Sequence, residues 1–168
     1  MDFLFLVTQL IHLEKTFFMK KIFCNSTALI FFVFLLVTNI GAQDNSIKKE
    51  KWHWGNALQQ DTSAGYVQVV KVDNILYISG AVARDVTPEG IKRVYQSLER
   101  SLKSFGASFQ NVVKENLFTT DIEAMKKYND ARKAFYKGDF PAATWTQITR
   151  LFMADAKLEV ELIAHLPK

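Results

Sequence analysis

The sequence predicts an α+β domain whose elements follow in the order β-β-α-β-α-β-β. Three observations carry this expectation. GYVQVVKVDNILYISG, residues 65–80, is dense in Val, Ile and Tyr around Asp73-Asn74, the pattern of a hairpin with a two-residue turn. TPEGIKRVYQSLERSLKSFG repeats apolar residues at spacings of three and four, the pattern of a helix with one buried stripe. KLEVELIAHL, residues 157–166, alternates apolar and polar side chains as a half-buried strand does.

Each element has its own punctuation. Gly80 is expected to end the second strand, where backbone can approach another group closely. In the first helix Thr87 caps, Pro88 suits the first turn and Gly106 suits the exit. Ile91, Val94, Leu98, Leu102 and Phe105 form its apolar stripe. NVVKENLFTT, 111–120, reads as the third strand. Asp121 then caps a second helix, IEAMKKYNDARKAFY, with Met125, Tyr128, Ala131 and Phe135 on its inner face and Gly138 as its stop. FPAATWTQI, 140–148, supplies strand four, and strand five buries Leu158, Val160, Leu162 and Ala164 while Glu159, Glu161, Ile163 and His165 alternate with them. Two helices cover one face of a five-stranded sheet. The other face is still apolar, so it calls for a partner, and self-association with closed symmetry is expected.

The N-terminal third is of a different kind. Ala28–Val37 is ten apolar residues in a row, behind Met19-Lys20-Lys21 and ahead of the small residues Gly41 and Ala42. A positive start, an apolar centre and a small-residue exit make a secretory signal over 19–42, cleaved near Ala42–Gln43. The apolar run is short of the ~20 residues that span a bilayer, so the membrane is a partner only during export, and the protein is expected in the periplasm or secreted. An uncleaved anchor is the alternative. Residues 1–18 fit badly before such a signal, and Met19 is read as the true start. Residues 43–60 form an arm that docks by Trp52 and Trp54, and 61–168 form the folded domain.

Composition closes several routes. The net charge is +4 over 168 residues, with no block of like charge, so no nucleic-acid tail is present. The only cysteine, Cys24, lies in the signal; the mature chain offers no disulfide and no thiolate. His53 and His165 have no further ligands at metal spacing, so no metal site is expected.

The hairpin ending in YISG, the block VVKENLFTTDIEAMKKYNDARKAFY, the FPAAT stretch and the closing KLEVELIA together resemble the RidA/YjgF family, the reactive-intermediate deaminases, over roughly residues 64–166. The resemblance implies a chorismate-mutase-like fold with a mixed sheet, a homotrimer with small-molecule pockets at its subunit interfaces, and chemistry without a cofactor. The best-studied members hydrolyse enamines and imines to a 2-oxo acid and ammonia. Such chemistry needs a carboxylate clamp, for which the planar fork of arginine is suited, and a carboxylate to position or deprotonate water.

Carried over residue by residue, the resemblance implies that Glu159 positions water, that Ser79 and Gly80 frame the ligand, and that Tyr66 and Asn129 line the pocket. Without it, Glu159 reads as an exposed strand residue, and Tyr66 and Trp145 as core or interface aromatics. The family's arginine follows the dipeptide PA; here that position is Ala143, followed by Thr144 and Trp145. Losing a desolvated carboxylate partner costs ~2–5 kcal/mol. Arg84 and Arg150 lie nearby in the chain as substitutes. Three functions follow from this pattern. One is a 2-iminobutanoate/2-iminopropanoate deaminase. Another is a divergent exported member that binds or hydrolyses a ligand other than 2-imino acids, the reading that Ala143 favours. The last is an oligomeric binding module without chemistry, its pocket filled by Trp145.

Overall fold

The structure, a computed structural model, describes residues 46–168. The expectations for 1–18, for the signal at 19–42 and for the first residues of the arm lie outside the described residues. The elements are β1 (Glu50–Trp52), β2 (Val69–Val72), β3 (Ile75–Ala83), α1 (Pro88–Lys103), β4 (Val112–Thr119), α2 (Ile122–Lys127), α3 (Asp130–Tyr136), β5 (Ala142–Gln147) and β6 (Leu158–His165). The six strands form one sheet in the order β1-β2-β3-β6-β4-β5. Only β4 and β5 run parallel. The expected α+β architecture is therefore present.

Local chemistry places each element. Asp73 adopts φ 52° and closes the β2–β3 hairpin, the backbone state that Asp and Asn tolerate in a two-residue turn. The Thr87 hydroxyl accepts the Gly90 N–H at the start of α1, which satisfies one of the amides left free in the first turn. At its end Ala107 N–H reaches back to Leu102 O while Gly106 takes φ 73°, a left-handed exit. The stripe of α1 then seats Ile91, Val94, Leu98 and Leu102 fully buried against the sheet.

The structure corrects the sequence reading at three points. The sheet has six strands rather than five, because the arm pairs its Glu50–Trp52 onto β2. Trp52 packs against the core and stacks edge-on with Trp54 at 5.0 Å, so the arm does dock by its tryptophans. The second helix is two short helices. Arg132 N–H bonds to Asn129 O and Ala131 N–H to Tyr128 O, i to i+3 bonds that tighten the chain where Asn129-Asp130 favours a new start. Finally, Gly80 does not end β3, which continues to Ala83.

Gly80 sits instead in a β-bulge. Three residue steps on β3, from Ile78 to Ala81, face two on β6, from Leu162 to Val160. A second bulge lies in β4, where Val112 and Lys114 face Ala164 and Ile163. An extra residue in one strand reverses which side chains point inward beyond it. In β4 this turns Glu115 inward, together with Leu117 and Thr119.

Glu115 is fully buried and accepts four hydrogen bonds. Oε1 receives Arg132 Nε at 2.8 Å and Trp145 Nε1 at 3.2 Å, and Oε2 receives the hydroxyls of Tyr95 at 2.8 Å and Tyr136 at 2.6 Å. These donors come from α3, β5 and α1, so one carboxylate ties the helical layer to the edge of the sheet. Burial and then the facing carboxylate push both tyrosine hydroxyls well above their ordinary pKa, which keeps them protonated donors. Phe109 and Phe135 pack around them, with ring centroids 5.3 Å apart.

Replacing Glu115 by Ala strands a buried guanidinium and three polar donors. Unfolding in urea should show a loss of about 3–5 kcal/mol, while Lys126→Ala, which removes only the exposed pair with Glu123, should leave the midpoint nearly unchanged. Equal midpoints for wild type and Glu115→Ala would contradict this role.

Candidate functional site

Two groups of side chains stand out, one on each face of the sheet. The open face carries the first. Glu159 alternates with the buried Leu158 and Val160 and therefore points away from the helices. Its partner on β3 is Val82, just past the bulge that holds Gly80. A Cβ added to Gly80 would lie 2.0 Å from Glu159 Oε1 and 2.7 Å from its Cγ and Cδ, closer than such atoms approach, so a side chain at this position would push the carboxyl out of the place it holds. Ser79 is fixed beside it: its hydroxyl donates to Val67 O at 2.7 Å and its carbonyl accepts from Gln68 Nε2 at 2.9 Å. Tyr66 is exposed on the loop before β2. Glu159, Ser79 and Gly80 thus form one neighbourhood, and Tyr66 is the residue before Val67, which accepts from the Ser79 hydroxyl.

Burial, and after it the repulsion of Glu161, raises the Glu159 carboxyl above the usual pKa. Glu161 itself accepts from Asn116 Nδ2 at 2.8 Å. Beside them lies an open depression of about 250 Å³ lined by Tyr77, Ser79, Lys114, Asn116 and Glu161 among others. Lys114 Nζ donates to the Thr144 hydroxyl at 2.7 Å, which places Thr144 on this same face. Tyr77, Val82 and Val113 are exposed around it, the apolar open face expected from the sequence.

The second group lies on the helix side, at the β5 edge. Ala143 and Trp145 stand in register with Glu115 and Leu117, both inward-facing. Trp145 donates to Glu115 and lies 5.3 Å from the guanidinium of Arg132. Its ring is thus committed to the buried cluster. Ala143 is exposed on the same side. Asn129, between α2 and α3, has a buried Oδ1 without a hydrogen-bond partner. Glu159 and Ala143 therefore occupy opposite faces of the sheet within one chain. A single chain does not bring the expected water-positioning carboxylate and the expected clamp position together.

The two arginines considered as substitutes stand elsewhere. Arg84 Nε pairs with Asp155 at 2.6 Å, both exposed, and Arg150 is exposed beyond β5. The arginine that reaches the β5 edge is Arg132, which the sequence reading passed over along with Glu115. The one signal the sequence offers is a glutamate two residues from Leu117 in a strand pattern, and the strand alone does not show that this face is buried. Among the described residues no group of three His, Cys, Asp or Glu side chains is placed to hold a metal ion.

A mixed sheet with helices on one face and carboxylates on the other defines an α+β protein of the chorismate-mutase-like class. The family model described as endoribonuclease L-PSP matches residues 56–166, and the chain belongs to this family, the RidA/YjgF family. Mouse 2-iminobutanoate/2-iminopropanoate deaminase is 32% identical over 108 residues, covering 59% of this chain and 79% of that protein. RidA from an Antarctic Psychrobacter superposes with a TM-score of 0.56 at 27% identity, over 60% of this chain and 88% of that one. A YjgF/YER057c/UK114 family member from Mycobacterium tuberculosis shares the fold with a TM-score of 0.63 at 17% identity, over 71% of this chain and all of that one.

The position of Glu159 fixes a titration order. As pH falls, Glu159 takes its proton before ordinary exposed carboxylates do. Carbon-detected NMR should place its midpoint above the usual glutamate value, and Glu161→Gln should move that midpoint down by removing the repulsion. A Glu159 midpoint at or below the ordinary value in wild type would contradict the geometry.

Proposed function

We propose that this chain hydrolyses the C=N bond of a small imine or enamine at a site shared between chains, with Glu159 positioning the attacking water and no cofactor taking part. The observation that carries this reading is the Glu159 carboxyl held against the Gly80 backbone, half-buried and raised in pKa. A raised pKa brings a carboxylate closer to the basicity that proton abstraction from water requires. The deaminase name borne by relatives at about 32% identity supports the same chemistry. For a 2-imino acid, water adds to the imine carbon, its proton passes to nitrogen, and the tetrahedral adduct releases ammonia and a 2-oxo acid. The opposed positions of Glu159 and Ala143 support a site made from two chains, in keeping with the homotrimer that the family resemblance implies.

A second reading is favoured by Ala143. A β5 edge without a cation suits a ligand other than a 2-imino acid, bound or hydrolysed by a divergent member. Export belongs to this proposal too: the Met19-Lys20-Lys21 start and the apolar Ala28–Val37 run support a signal and a periplasmic or secreted protein.

Freshly generated 2-iminobutanoate tests the chemistry. The purified chain should release 2-oxobutanoate above the buffer rate, and Glu159→Ala should abolish that excess while still folding. A silent wild type with activity gained in Ala143→Arg would overturn the deaminase reading in favour of the second one.

A further inference from the structure

Gln60 and Gln68 are both buried, and neither belongs to the Glu115 cluster. A buried amide costs free energy unless its oxygen and its nitrogen find partners, so an apolar residue of the same length would be the ordinary choice at either position. Here the amides are joined in series. Trp54 N–H donates to Gln60 Oε1 at 3.1 Å, Gln60 Nε2 donates to Gln68 Oε1 at 3.4 Å, and Gln68 Nε2 donates to Ser79 O at 2.9 Å. Each side chain accepts on its oxygen and donates from its nitrogen, so the polarity runs one way, from the N-terminal arm to β3. Bonds arranged in this sense polarise and strengthen one another.

Both ends of this series are anchored. At the first end the Trp54 ring lies 4.7 Å from the Arg100 guanidinium on α1. Gln60 is the buried residue of a single π-helical turn, Gln59–Ala64, a rare geometry that recurs at functional sites. At the other end Gln68 holds Ser79 twice, because its backbone oxygen accepts the Ser79 N–H at 2.9 Å while its side chain donates to the Ser79 carbonyl. Ser79 and Gly80 stand in the bulge and have no ladder partner on β6, so the sheet itself does not fix them. The peptide between them is planar, and holding the Ser79 carbonyl sets the direction of the Gly80 N–H. Gly80 is the residue against which the Glu159 carboxyl rests.

We propose that Gln60 and Gln68 are positioning residues for Glu159: their two amides carry the seating of the N-terminal arm to the Ser79–Gly80 bulge, and the bulge sets where the Glu159 carboxyl stands. They act through the backbone of Ser79 and not on a substrate. This deepens the function proposed above and rests on it for the kinetic readout alone. The arm is then part of the site rather than an added edge strand. A change that lifts Trp54 off Arg100 breaks the first link and loosens the bulge without altering Glu159 itself.

The test is Gln60→Met in the full chain, which keeps the length of the side chain and removes both polar atoms from the middle of the relay. It should shift the NMR resonances of the Gly80 amide and of the Glu159 carboxyl carbon. It should also lower kcat on 2-iminobutanoate by roughly tenfold while KM changes by less than about twofold, because the water is misplaced and the substrate is not. Gln68→Met should do the same, and the two substitutions together should cost little more than either alone, since a broken relay has nothing further to lose. Glu50→Ala, which removes the exposed pair between the arm and Lys71, should move neither readout. Unmoved Gly80 and Glu159 resonances in a cooperatively folded Gln60→Met, effects of the two substitutions that simply add, or a raised KM with kcat unchanged would overturn the proposal. Should Gln68→Met not fold, the resonances of Gln60→Met decide alone. The two readings fail separately. Shifted resonances in a chain that does not hydrolyse the imine would sink only the deaminase chemistry; hydrolysis untouched by Gln60→Met would sink only the relay.

Discussion

A carboxyl group sealed from water is tolerated only when its oxygens find donors, and in this domain Glu115 finds four. The donors arrive from three elements that are distant in the chain: Tyr95 on α1, Arg132 and Tyr136 on α3, and Trp145 on β5. Each is a constraint on the next. Tyr95 fixes how α1 lies over the sheet, Tyr136 brings in the end of α3, and Trp145 holds the parallel edge strand, whose ladder partner is β4 alone. An apolar core would hold these layers together without fixing their register. The shared carboxylate supplies direction, since hydrogen bonds at 2.6–2.8 Å lose strength quickly when a layer slides.

Two bulges decide what the sheet presents. The β4 bulge turns Glu115 inward and leaves Lys114 and Asn116 on the open face. The β3 bulge places Gly80 under Glu159, where a side chain would displace the carboxyl. The helix side thereby receives the arginine and the aromatic rings, while the open face receives the carboxylates and the depression beside them. Chemistry that needs both kinds of group requires one chain to meet the other face of another. The exposed Tyr77, Val82 and Val113 give such an encounter apolar surface to bury.

Much of this was legible in the residues. The hairpin turn at Asp73-Asn74, the capped and striped α1, and the alternation of β6 follow from local chemistry, and each appears in the structure. The parts that were not legible are those set by bulges and tertiary contacts. Strict alternation through β4 says nothing of a bulge at Val112–Val113, so it does not show which face Glu115 takes. The arm was recognised as docking by its tryptophans, but nothing in Glu50–Trp52 announced that it would pair as a strand. Helical spacing through Ile122–Tyr136 concealed the break at Tyr128–Asn129, and with it the turn that sets Asn129 and Arg132 on one face. Trp145 read as a possible occupant of a pocket because its strand face depends on the parallel register with β4, which no local pattern encodes.

The claim on which the functional account turns is that no single chain unites Glu159 with the β5 edge, so the working protein is an assembly. Sedimentation equilibrium of the purified chain over micromolar concentrations measures this most directly. The account predicts a closed oligomer, three chains by the family resemblance, that persists on dilution into the working range of an assay. A monomer that still hydrolyses 2-iminobutanoate would contradict it, because its two functional groups would then lie on opposite faces of the same sheet.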